Sequence, residues 1–246
     1  LLTDYPSAAM VYLGFNTRRT PLSDAALRSA IAGSFDRATI VTGYLAGHAD
    51  AARFPISPRS AAYPAELDTT LASPELFAAL ETAGVTAERP RTLTLLVHEG
   101  DPFKVSIADY LSRTLTQGPL TVTVRALPWA DYLTALESGI YDLYLGEVRL
   151  TADWDVSALV RADGALNYGG YADEQCDALL DAFLADETEQ TAAALCRYLG
   201  QNAPIAPIAF KSLSLLTPEG LVDGLTPTVS SPFYGFEGWT VRFDEG

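Results

Sequence analysis

Lysine is nearly missing from this chain: Lys104 and Lys211 are the only two in 246 residues. With 16 Lys and Arg against 31 Asp and Glu, the formal net charge is −15. A surface this acidic repels nucleic-acid phosphate and anionic lipid headgroups, so neither is an expected partner. The acids are scattered rather than clustered and read as a solubility feature, not as a lure for cationic solutes. Cysteine and histidine are just as sparse, with Cys176, Cys196, His48 and His98. That is too few for a zinc finger or a CxxC redox motif, and no metal or other cofactor is expected. The chain has no GxSxG elbow, no P-loop, no GxGxxG and no HExxH, which removes the commonest enzyme signatures. No apolar run approaches the roughly eighteen residues that span a bilayer. No charged-then-apolar leader opens the chain, so any export signal or lipid anchor is expected to lie outside these residues.

What remains is ordinary globular chemistry, 48% hydrophobic and 19% charged. The length suits one large α/β domain, and neither a repeat nor a low-complexity linker divides it. A single domain over 1–246 is expected, with an irregular tail over 217–246.

The apolar run from Ala9 to Asn16 predicts a buried strand. Ser23 and Asp24 announce a helix with Leu27, Ala30, Ile31 and Phe35 on one face, and Asp36 caps a second. Residues 48–72 carry three prolines and read as a long loop. Pro74 starts another helix, with Leu76 and Leu80. The clearest unit runs from Arg91 to Val148. It has a strand at Thr92–His98, a helix from Asp101-Pro102, a strand at Thr121–Leu127, a helix at Trp129–Ser138 and a strand at Tyr141–Val148. This β-α-β-α-β order predicts a mostly parallel open sheet with flanking helices.

Two helices follow a loop at 149–172. Cys176, Leu179, Leu180, Phe183 and Leu184 share a face of the first. Ala192, Leu195, Cys196 and Leu199 share a face of the second, which Asp186 and Glu189 are expected to open as a capping box. If the two helices form an antiparallel hairpin, Cys176 and Cys196 face each other. Both a disulfide and two buried free thiols fit that pattern. Pro204–Leu216 reads as a pair of strand segments, and Trp239–Phe243 as a strand.

Parallel α/β sheets bind ligands at the carboxyl ends of their strands. Those ends here are His98–Pro102, Leu127–Trp129 and Gly146–Asp155. The last holds Glu147, Arg149, Asp153, Trp154 and Asp155. A carboxylate there pairs with a ligand ammonium, and an indole covers apolar groups or stacks on a cation. Trp154 reads equally as core and as site. Asp155 reads as the cap of a short helix over Val156–Val160, and Asp153 as a site residue. Catalysis by the carboxylates of this loop, as in an α/β hydrolase, is the alternative.

The stretch YLGFNTRRTPLSDAALRSAIAGSFDRATIV, Tyr12 to Val41, resembles the signature of extracellular solute-binding protein family 5. The order continues through LTLLV, IADYLSRTL, PWADYLTALESGIYDLYL, LNYGGYADEQCDALLDAF and PIAPIAF. The resemblance implies a type II periplasmic-binding-protein-like lobe, the carboxyl-terminal one of two, with the first lobe missing. It implies a non-catalytic receptor that closes on a peptide or other small solute and delivers it to an ABC permease. Such a receptor is expected to be monomeric and extracellular, as a membrane-anchored lipoprotein or in a periplasm. In peptide-binding relatives the aspartate of a W-x-A-D-Y stretch holds the ligand's amino terminus. Asp153 matches it, while Leu150 and Trp154 replace the tryptophan and the tyrosine. Asn167 and Tyr168 match a family stretch beside the cleft.

Overall fold

The structure is a computed structural model that describes residues 2–217, 221–228, 231 and 233–242. Its elements are β1 (Leu2–Phe15), α1 (Ala25–Gly33), α2 (Arg37–Tyr44), β2 (Ala49–Ala51), α3 (Ala65–Thr70), α4 (Leu76–Thr82), β3 (Arg91–His98), α5 (Pro102–Leu115) and β4 (Leu120–Leu127). They continue with α6 (Trp129–Glu137), β5 (Leu143–Arg149), α7 (Ser157–Val160), α8 (Glu174–Ala185), α9 (Glu189–Asn202), β6 (Ile205–Leu216), β7 (Val222–Asp223) and β8 (Thr240–Val241).

Helix starts follow local chemistry. The carboxylates of Asp24, Asp36 and Asp101 accept backbone N–H groups of the first turns of α1, α2 and α5, which satisfies donors a helix leaves orphaned. The start of α9 differs from the sequence reading. Thr188 and Thr191 form its capping box, and Asp186 ends α8 instead. Thr191 offers a hydroxyl at the third helical position, so it closes the box that glutamate was expected to close.

Six strands form one sheet in the order β2-β6-β1-β5-β3-β4. The expected α/β architecture with flanking helices is present, but the sheet is mixed rather than mostly parallel. Parallel pairing is confined to β3 with β4 and β3 with β5. β1 runs antiparallel to both β5 and β6, and β2 antiparallel to β6. The β-α-β alternation covers only residues 91–148, and it alone forces parallel crossovers. β1 and β6 come from opposite ends of the chain, and nothing local sets their direction.

β1 is also longer than its apolar core. Its polar first half pairs Leu2 with Leu216 and Tyr5 with Leu213, and a register shift lies between Pro6 and Met10. Proline donates no ladder hydrogen bond and is tolerated where pairing is already irregular. β6 is one strand from Ile205 to Leu216, not two segments. In the tail, β8 covers Thr240–Val241; the expected strand's Phe243 lies outside the described residues.

Both faces of the sheet are covered. Val11, Leu13 and Phe15 of β1 and Leu143 and Leu145 of β5 pack against α1, α2, α4 and α5. Ala8, Met10 and Tyr12 of β1 and Tyr144 of β5 face the other way, toward α6, α7, α8 and α9. This is the period-2 alternation of a strand buried on both sides. Arg28 of α1, 4% exposed, donates to the carbonyls of Leu22, Ser23, Asn202 and Ala203. It ties α1 to the end of α9 while satisfying its own donors.

Cys176 and Cys196 are free, buried thiols on the facing helices α8 and α9. Of the two readings of the hairpin, the structure shows packing. Burial first, and then the nearby Asp173 and Asp177 charges, push the Cys176 thiol up to about 12. Burial likewise raises that of Cys196.

Candidate functional site at the strand tips

A cavity of about 180 Å³ opens beside the carboxyl ends of β3 and β5. Its walls come from β1, β3, β5, α5, α6 and the loop at 166–168. Six of its residues are aromatic: Tyr12, His98, Trp129, Tyr132, Tyr144 and Tyr168.

The floor is built by a reciprocal pairing across the antiparallel β1–β5 ladder. Tyr12 lies opposite Gly146, and Gly14 opposite Tyr144. Each ring rests over the glycine of the other strand. A Cβ on Gly146 would stand 2.6 Å from the Tyr12 ring, and one on Gly14 would stand 2.1 Å from the Tyr144 ring. The close approach therefore requires glycine at both positions. The two rings meet edge to face at 5.7 Å, and Tyr168 meets Tyr144 edge to face at 6.1 Å. The Tyr144 hydroxyl donates to Tyr12 at 3.5 Å, and Tyr132 donates to the carbonyl of Leu145 at 3.1 Å. Burial pushes the Tyr12 phenol up to about 12 and raises those of Tyr132 and Tyr144.

The mouth carries Trp129, 55% exposed. Its ring stacks on Tyr132 at 5.7 Å and meets the His98 ring edge-on at 5.2 Å. Beside it lies a four-member ion network. Lys104 Nζ stands 2.9 Å from Glu147 and 3.2 Å from Asp101, and Lys211 Nζ stands 3.4 Å from Glu147. Both lysines of the chain thus meet one glutamate. Burial alone would lower the Lys104 pKa, but the hydrogen bonds and charges of Glu147 and Asp101 reverse this and raise it. Asp101 is also partly desolvated, which raises its pKa, yet the backbone and side chain of Lys104 bring it below the usual range. Asp101 Oδ1 already accepts the N–H groups of Phe103 and Lys104, so the positive end of α5 has its anion.

Of the residues singled out from the sequence, His98, Glu147 and Tyr168 line this cavity. The others sit elsewhere. Trp154, 7% exposed, donates to the Ser60 hydroxyl and packs edge-on against Phe210; its place is in the core. Asp155 accepts the N–H of Ser157 at the start of α7. Asn167 joins the backbone of Arg161 and Tyr171 with three hydrogen bonds, so its amide organises the loop. Arg149 is exposed at the end of β5, opposite Ala9. Asp153 is half-buried outside the cavity, and a Thr151 hydrogen bond lowers its pKa while its Oδ1 has no partner.

Sequence reasoning missed Tyr12, Lys104, Leu166 and the Tyr144 floor. The strand-end rule reaches Trp129, at the tip of the strand over Thr121–Leu127. Tyr12 stayed hidden because its strand reads as uniformly apolar. No helix of the described residues is long and apolar enough to cross a membrane. No group of three His, Cys, Asp or Glu among them is placed to hold a metal ion.

The sequence profile of the bacterial extracellular solute-binding proteins, family 5 Middle, matches residues 2–165, more than half of the chain. A probable D,D-dipeptide-binding periplasmic protein of Escherichia coli, DdpA, is 31% identical over 145 residues, which cover 59% of this chain and 28% of that protein. Among solved structures, HbpA2 of Haemophilus parasuis superposes with a TM-score of 0.78 at 21% identity, over 99% of this chain and 50% of that one. The murein tripeptide binding protein MppA of Escherichia coli gives 0.76 at 20%, over 94% and 47%. The oligopeptide-binding protein AppA of Bacillus subtilis, solved with a nonapeptide, gives 0.75 at 18%, over 99% and 52%. The chain therefore spans about half the length of these solved relatives and reproduces the fold of type II periplasmic binding proteins. With the profile match over most of its length, the chain belongs to the bacterial extracellular solute-binding proteins of family 5.

Proposed function

We propose that this chain is one lobe of a receptor that captures a peptide or other small solute for an ABC importer without breaking a bond. The observation that carries the reading is the aromatic cavity at the tips of β3 and β5, open on one side and rimmed by Lys104 and Glu147. Ligand sites of open α/β sheets lie at this edge. Capture works by closure: contacts from two lobes favour the closed state, and the solute is held as long as both grip it. One lobe supplies part of those contacts, so it binds its solute weakly by itself. His98, Glu147, Tyr168 and Trp129 are the ligand contacts on this side. Glu147 is held by two ammonium groups, an arrangement that suits positioning rather than proton transfer. The whole receptor is a monomer exported across the cytoplasmic membrane, either lipid-anchored or free in a periplasm.

Native mass spectrometry of the full-length receptor, purified without denaturation, identifies the co-purifying solute. Trp129→Ala is then expected to weaken its binding at least tenfold, while Asp153→Ala leaves it within twofold. The opposite ranking would move the site to the loop at 150–155.

A further inference from the structure

The chemistry of the cavity wall narrows what the cavity holds. Its volume, about 180 Å³, is close to the roughly 150 Å³ of an apolar protein cavity that accepts benzene. That is room for one ring, not for a chain of residues. The wall offers ring faces and edges: Tyr144 meets Tyr12 and Tyr168 edge to face, and Trp129 stacks on Tyr132. Aromatic pairs in such offset or perpendicular arrangements gain about 0.5–1.5 kcal/mol beyond burial. The hydroxyls of Tyr132 and Tyr144 already donate within the wall.

Charge at the mouth is balanced. Lys104 and Lys211 meet Glu147, and Lys104 also meets Asp101, so two ammonium groups face two carboxylates. A charged ligand group gains a partner here only by displacing one already in place, and the displaced group is left partly desolvated. A cation held against ring faces is a known use of aromatic boxes. In this one, both neighbouring carboxylates are already paired with lysines.

We infer that the cavity at the tips of β3 and β5 is a subsite for one uncharged aromatic ring of the captured solute. This deepens the receptor reading above and rests on it. The rim of Lys104 and Glu147 selects by exclusion, because it penalises groups of either charge at the mouth. Trp129 guides the ring in and lies over it.

The test uses the full-length receptor, stripped of bound solute by unfolding and refolding. Indole, benzoate, benzylamine and tetramethylammonium are titrated separately and followed by saturation-transfer NMR. Indole is expected to bind saturably and at least tenfold more tightly than any of the three charged probes. Leu133→Trp on α6 and Leu166→Trp on the loop fill the cavity from two sides, and each is expected to weaken indole at least tenfold. Benzylamine, benzoate or tetramethylammonium binding as tightly as indole overturns the inference. So does the absence of saturation up to the solubility of indole, or indole binding that survives both variants. If a tryptophan variant misfolds by near-UV circular dichroism, the ranking of probes on the parent protein decides alone. Native mass spectrometry of the unstripped receptor separates the two claims. A retained solute with no indole site sinks the subsite only, and an indole site with no solute ever retained sinks the receptor reading only.

Discussion

Adding a single methyl group at Gly14 tests how the cavity floor is built. A Cβ there would stand 2.1 Å from Tyr144 Cε1, whereas carbon atoms rest about 3.5–4.0 Å apart. The ring must move by roughly 1.4 Å or more, or β1 and β5 must separate. Tyr144 has little room: it is 2% exposed and packs edge-on against Tyr12, Tyr141 and Tyr168. Overpacking of a dense core costs about 1–3 kcal/mol, and the size of this clash places Gly14→Ala near the upper end. For a chain of this length each kcal/mol lowers the melting temperature by about 2–4 °C. Gly14→Ala should therefore melt about 6–12 °C below the parent by circular dichroism. Gly146→Ala brings its Cβ only to 2.6 Å from Tyr12 and should cost less, about 1–2 kcal/mol. Tyr144→Ala removes the obstacle, so Gly14→Ala added to it should cost much less than it does alone, a non-additivity of at least about 1 kcal/mol. A Gly14→Ala protein that melts within about 1 °C of the parent, or a strictly additive double mutant, refutes the ring-over-glycine account.

Two further outcomes follow from burial. The native protein should label neither cysteine with a thiol reagent at about pH 8, because both thiols are buried and held protonated and only the thiolate reacts. Unfolding without reductant should expose both thiols; an unfolded chain that labels at neither would mean that they are bridged. In the alkaline range, Cys176 and Tyr12 titrate near 12 when folded, above their values in the unfolded chain. Groups raised in this way stabilise the fold fully below their unfolded pKa, and that contribution is lost as pH climbs toward the folded pKa. Each thiol should therefore remove about 2 kcal/mol between about pH 8.5 and pH 10, read as a falling urea midpoint under reductant. A midpoint that stays level over that range refutes the assignment.

Local chemistry was enough to read much of the molecule from sequence. The caps Asp24, Asp36 and Asp101, the helical faces of α1, α8 and α9, and the strands of residues 91–148 each depend on neighbours a few positions away, and the structure places them as expected. The strand-tip rule likewise reached His98, Trp129 and Glu147. Long-range pairing decided the rest. β6 lies against β1 across some two hundred residues of chain and makes the sheet mixed, and no periodicity encodes that direction. Pairing of β1 with β5 sets Tyr12 over Gly146, and pairing of β6 with β1 brings Lys211 to the glutamate that Lys104 already holds. Trp154, three positions before α7, takes a φ of 58° and lies in the core against Phe210. Sequence alone thus established the parts and pointed to the edge of the sheet where the cavity opens. Only the tertiary structure showed which side chains meet there, because strand register and the path of each turn are settled by contacts distant in the chain.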